Sequence, residues 1–150
     1  GEGREHYHRL LGEAALKYPE RISVLVARDE KLARLIYGGC DIFLMPSRFE
    51  PCGLGQLIAM RYGAVPVVRH TGGLADTVKD LTAENGNGFV FQNFQAPDML
   101  GAIIRAEESF QHREEWKHLI RRNMKLDFSW KASARRYEEI YLRAKRMTRT

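Results

Sequence analysis

The run MPSRFEPCGLGQL, residues 45–57, places a carboxylate (Glu50), a proline, a thiol (Cys52) and two glycines (Gly53, Gly55) directly behind the apolar DIFLM. Glycine carries no Cβ to hold a ligand away from the backbone N–H groups, and Pro51 stiffens the approach. A loop of this kind, opening a helix with unpaired first N–H groups and a positive dipole end, can cradle phosphate or hydroxyl oxygens. Glu50 adds a carboxylate, which pairs badly with phosphate but accepts hydrogen bonds from sugar hydroxyls. Together these point to a molecule with both groups, a sugar phosphate. A second loop, RHTGGLADT at 69–77, repeats the logic with Thr71, Gly72 and Gly73 after another apolar run. One Gly-Gly is more often a tight turn made for packing; two glycine loops at successive strand ends can line one crevice.

Other residues carry less chemistry. Cys52 beside a helix N-terminus could be a nucleophile, yet no histidine is near it in sequence. His6 and His8 are two apart on a helix and point to nearly opposite sides. His112 and His118 lack an acidic or cysteine partner at ligand spacing, so all four read as surface residues and no metal site is expected. GEGREH lacks the third glycine of a dinucleotide fingerprint, which makes an oxidoreductase a weak reading.

The elements that must position these loops alternate. Residues 4–18 read as a helix with Leu10, Leu11, Ala14 and Ala15 as its stripe, and RISVLVA at 21–27 as a short buried strand. Asp29 caps a helix carrying Leu32, Leu35 and Ile36, ended by Gly38 and Gly39, and residues 41–45 form the next strand. A helix from about Gly53 to Tyr62 turns Leu54, Leu57 and Ile58 inward and stops at Gly63; VPVV at 65–68 is another strand. HTGGLADTV reads as a turn, and NGFVF at 87–91 as a last strand. Strands alternating with helices predict an α/β fold, a parallel sheet flanked by helices. In such sheets ligands bind at the C-terminal ends of the strands, which is where both glycine loops fall.

The C-terminal third is helical. One helix carries Met99, Leu100, Ile103 and Ile104, REEWKHLIRRNM forms a second, and the last puts Trp130, Ala134, Tyr137, Tyr141 and Ala144 on one docking face. No linker or repeat divides the 150 residues, so a single domain is expected, with C-terminal helices over roughly 112–150. GEG at the start reads as the tail of a strand-to-helix turn, which suggests an N-terminally truncated domain.

Composition bounds the rest. With 44% hydrophobic and 29% charged residues, the chain matches average soluble proteins, and no apolar run nears the ~20 residues of a spanning helix. Its two cysteines, Cys40 and Cys52, make no disulfide framework, which suits a reducing, cytosol-like compartment. The net charge of +5 favours anionic partners without choosing among them. Its C-terminal excess reads as a solvated helix face and not a nucleic-acid surface, because no aromatic side chains alternate with these charges on an exposed strand.

Beyond these readings, PSRFEPCGLGQLIAMRYGAVPVVRHTGGLADTV resembles the signature region of bacterial glycogen synthases and plant starch synthases. NGFVF and DFSW extend the resemblance over roughly residues 21–142. It implies the GT-B arrangement of two facing Rossmann-like domains, this chain being most of the C-terminal, donor-binding one. It implies a hexosyltransferase that moves glucose from ADP-glucose to an α-1,4-glucan with retention of configuration. No metal or other cofactor is needed in relatives, since basic side chains and a helix dipole stabilise the departing ADP. Glu50 matches the catalytic acidic residue on the donor glucose. Cys52, Gly53 and Leu54 match the turn holding its hydroxyls and phosphate, and Thr71, Gly72 and Gly73 the second loop. Gly55 stands where many relatives have threonine or serine. Ile58 stands eight residues after Glu50, where the wider superfamily has a second glutamate, in keeping with the synthase branch. Arg28 falls where bacterial relatives often stack an aromatic residue on adenine, and a guanidinium can stack on a purine as well.

The acceptor domain and the first strand–helix unit, whose Arg and Lys neutralise the diphosphate, are not among these 150 residues, so the chain alone is expected to transfer no glucose. A cytoplasmic enzyme is implied, plastidial in a plant, with neither nucleic acid nor membrane as partner. Two alternatives stay open: a GT-B transferase using another nucleotide sugar, and a non-catalytic module that binds one.

Overall fold

The computed structural model describes residues 4–147, which divide into two units, one ending at Ile36 and one beginning at Tyr37. The first holds α1 (Glu5–Lys17) and the start of α2 (Glu30–Gly39). Asp29 Oδ1 accepts from the N–H groups of Lys31 at 2.9 Å and Leu32 at 3.0 Å, satisfying two of the donors a helix start leaves unpaired.

The strand expected over 21–27 is not formed: residues 22–26 carry neither helix nor strand. A β-branched run has the propensity, but a strand exists through the ladder of a neighbour, and no ladder is formed there.

In the second unit, β1 (Ile42–Met45), α3 (Gly55–Tyr62), β2 (Val65–Arg69), α4 (Gly72–Thr77) and β3 (Phe89–Phe91) alternate before α5 (Ala96–Gln111), α6 (Arg113–Asn123) and α7 (Trp130–Met147). The sheet runs β1-β2-β3, and both pairings are parallel, with Met45 opposite Val68 and Val68 opposite Val90. This is the parallel, helix-flanked architecture that the alternation predicts. Val65 and Val67 of β2 join Phe89, Phe91, Ala102, Ala106, Trp116 and Leu119 in one core. Val68 joins Met60, Leu74, Val78 and Val90 in another. A central parallel strand buried on both faces is apolar throughout, which is why VPVV was legible as a strand.

Two helices differ from expectation. HTGGLADTV contains α4, whose six residues are too few for a helical period to show. In α3 the buried residues are Gln56, Ala59 and Met60, and Leu57 packs against the core as expected, whereas Leu54 just before the helix is 65% and Ile58 38% exposed. The inward stripe keeps Leu57 but runs through Gln56, Ala59 and Met60 and not through Leu54 and Ile58, because a polar residue, Gln56, lies on it. Gly63 stops α3 as expected, in the left-handed region at φ 95°. In α5, Met99 and Ile103 pack on the core beside Ala102 and Ala106, while Leu100 and Ile104 are exposed.

Asp80 fastens α5 to the sheet. Arg105 donates to both its carboxylate oxygens at 3.0 Å, and Val90 N–H donates to it at 2.8 Å. None of the residues of α7 is buried, and Trp130, Ala134, Tyr137 and Tyr141 line one shallow groove along it. Among the described residues no helix is long and apolar enough to cross a membrane.

Candidate functional site

Because Met45 and Val68 are partners in adjacent parallel strands, the segments that leave them, 46–54 and 70–71, must start side by side. They also touch. The N–H of Gly73 donates to the carbonyl of Glu50 at 3.0 Å, joining the start of α4 to the loop before α3. A Cβ on Gly72 would stand 2.0 Å from Glu50 O, and one on Gly73 would stand 1.8 Å from Cys52 O. The two backbones are thus in direct contact, and the Gly-Gly pair is required by that approach. Gly72 has φ +44° and Gly53 φ +74°, both in the left-handed region.

Gly53 answers a second constraint. At φ +74° any side chain would be strained there whatever the chain binds, and a Cβ would also push on the Gln56 amide, 2.6 Å from its Oε1. Gly55 differs, since a Cβ would be 3.3 Å from Phe43 and from the Tyr37 hydroxyl, close but not forbidden. That is consistent with a site where a small hydroxylated residue could stand.

Around this joint the side chains are placed as follows. The half-buried Glu50 carboxylate accepts from Ser47 Oγ at 3.4 Å. Cys52 is exposed, and its thiol makes a long contact of 4.0 Å to Gly53 O. Leu54 is the N-cap of α3 in helical conformation, and Thr71 the N-cap of α4 in extended conformation; neither helix start is capped by a side chain. Glu50, Cys52, Gly53, Leu54, Gly55, Thr71, Gly72 and Gly73 all lie along the two loops at the carboxyl ends of β1 and β2. Arg28 belongs to the other unit, exposed just before the Asp29 cap. Among the described residues no group of three His, Cys, Asp or Glu side chains could hold a metal ion.

Sequence reasoning missed three residues that build this joint. Arg69 donates from Nε to Ser47 O at 2.9 Å and also to Arg48 O, stitching the first loop to the end of β2. Its guanidinium lies 5.7 Å from the Phe94 ring centroid, and that of Arg48 lies 5.9 Å from it. Gln56 is fully buried and donates to Gly53 O at 2.8 Å, and Thr77 Oγ1 donates to Gly73 O at 2.6 Å. A polar residue at helical spacing from Ala59 and Met60 was the available signal for Gln56; Arg69, a cation at a strand end, gave none.

A family profile for glycosyl transferases group 1 matches residues 1–122. The chain belongs to this family. Among its relatives, the glycogen synthase of Moorella thermoacetica is 53% identical over 147 residues, covering 96% of this chain and 30% of that protein. The glycogen synthase of Gloeobacter violaceus is 50% identical over 143 residues, covering 94% and 31%. A solved structure of the catalytic domain of starch synthase IV from Arabidopsis thaliana, bound to ADP and acarbose, superposes with a TM-score of 0.82 at 38% identity. That superposition covers 93% of this chain and 30% of the other. The chain therefore spans about a third of the length of the family members it matches, and the parallel, helix-flanked fold expected from its motifs matches part of that catalytic domain.

Proposed function

We propose that this chain is the donor-binding portion of an ADP-glucose-dependent α-1,4-glucan synthase of the glycogen and starch synthase type. The observation that carries the reading is the joint itself, two glycine loops at adjacent strand ends held backbone to backbone with the Glu50 carboxylate beside them. The glycogen synthase relatives at about half identity support it. So does the likeness to a starch synthase domain that was bound to ADP.

In this reading Glu50 accepts hydrogen bonds from hydroxyls of the donor glucose and stabilises positive charge at its anomeric carbon. The backbone at Cys52, Gly53 and Leu54, with Gly55 opening α3, holds the sugar and the adjacent phosphate. Thr71, Gly72 and Gly73 form the second wall. The C1–O bond to ADP breaks, the acceptor hydroxyl forms the new C1–O bond with retention, and its proton leaves on the diphosphate. No metal or other cofactor takes part, and the reaction is cytoplasmic. The acceptor glucan and the cations for the diphosphate come from outside these residues, so the isolated chain transfers no glucose.

Isothermal titration of the full-length protein with ADP, UDP and GDP tests the donor. Tightest binding of ADP supports the reading, and preference for UDP or GDP contradicts it.

A further inference from the structure

Gln56 is 0% exposed at the second position of α3, an unusual place for an amide. Its Nε2 has three acceptors within reach: Gly53 O at 2.8 Å, Thr77 Oγ1 at 3.1 Å and Cys52 O at 3.4 Å. With carbonyls on this side, the nitrogen must face them, because the reversed amide would set oxygen against oxygen. Thr77 Oγ1, accepting from the amide, gives its own proton to Gly73 O at 2.6 Å. The N–H of Gly73 then donates to Glu50 O at 3.0 Å. The path from Gly53 through Gln56, Thr77 and Gly73 returns to Glu50, three residues from where it began, and closes a ring of hydrogen bonds around both loops.

The same residue carries a defect. Gln56 Oε1 is buried and accepts no hydrogen bond among the described residues. An unpaired buried acceptor is destabilising, and an apolar side chain of similar length would remove it. Such a defect is kept where the surroundings need the geometry it imposes.

We infer that Gln56 is a positioning residue for the transfer reaction, holding the Cys52–Gly53 turn and the Gly72–Gly73 start of α4 as one rigid cradle. This rests on the reading of the two loops as the donor site. It acts through backbone carbonyls and Thr77, not by touching the donor. Loosening the ring lets the loops separate, and misplacement on the scale of an ångström costs transfer heavily.

The test uses the full-length protein with Gln56→Met, which keeps length and removes the donors, and Thr77→Val, which removes the hydroxyl at nearly constant shape. Per folded enzyme, each is expected to raise KM for ADP-glucose about tenfold. Their double variant should lose no more than the worse single one, because both break one ring. Thr77→Ser should recover most of the loss. A lowered melting point with unchanged KM in the folded fraction overturns the inference, as do additive losses. Amide hydrogen exchange separates this from the functional reading. Gln56→Met should speed exchange at Gly73 N–H by about tenfold whether or not ADP-glucose is the donor. Unchanged exchange there overturns the inference even if the enzyme is active, whereas faster exchange in a protein inactive with ADP-glucose removes the donor reading alone.

Discussion

The backbone N–H of Gly73 donates to the carbonyl of Glu50 at 3.0 Å, so the residue proposed to face the donor sugar is tied to the opposite loop by its own main chain. Its carboxylate is left for other work, with Ser47 Oγ at 3.4 Å as a long hydrogen-bond partner. Backbone fixation and side-chain freedom are what a group needs if it must meet a ligand without rearranging.

That separation predicts the effect of removing the carboxylate. In the full-length protein, Glu50→Ala should lower kcat/KM by about 10²-fold while ADP affinity and the melting point change little. Steady-state kinetics beside ADP titration and a thermal melt check all three. Near-normal turnover would remove the role assigned to Glu50.

Glycine substitutions should sort by what a Cβ meets. Gly73→Ala, with Cys52 O at 1.8 Å, should destabilise by at least about 1–3 kcal/mol, and Gly53→Val, in left-handed conformation above Gln56, by a similar amount. Gly101→Ala, within α5 and open around its Cβ, should stabilise by about 0.5–1 kcal/mol. Urea denaturation measures each.

The strands were legible because β2 and β3 are buried on both faces and so read as unbroken apolar runs, Val65–Val68 and Phe89–Phe91. Both glycine loops were legible as a pair because glycine is chosen by the chain wherever backbones meet. Their motive was only half legible: Gly72 and Gly73 are needed to bring one loop against the other, a long-range contact that no local pattern encodes. The inward face of α3 was legible at Leu57 but not at Gln56, because periodicity counts apolar residues and Gln56 is buried by virtue of its hydrogen bonds. Residues 21–27 misled in the opposite sense, having strand propensity without a ladder.

Asp80 gives a pH dependence. Burial pushes its carboxyl up, but the Arg105 guanidinium, Val90 N–H and Thr82 more than offset this and bring it down to about 2 from 3.8. A carboxyl depressed on folding contributes stability that is fully present above its unfolded pKa and lost as pH falls through the folded one. The window is therefore about pH 4 to 2. Since Arg105 is 41% exposed, solvent reduces the contribution to about 1–2 kcal/mol. Urea midpoints of the wild type should fall across this window, and Asp80→Asn should start lower and show a shallower fall there. An equal slope in both proteins would show that the pair does not couple to folding.

The most direct test is incorporation of labelled glucose into glycogen by the full-length protein, supplied with ADP-glucose or UDP-glucose at equal concentration. Enzyme-dependent incorporation that is faster from ADP-glucose is the predicted result. No incorporation from ADP-glucose above a no-enzyme control, or a clear preference for UDP-glucose, would contradict it.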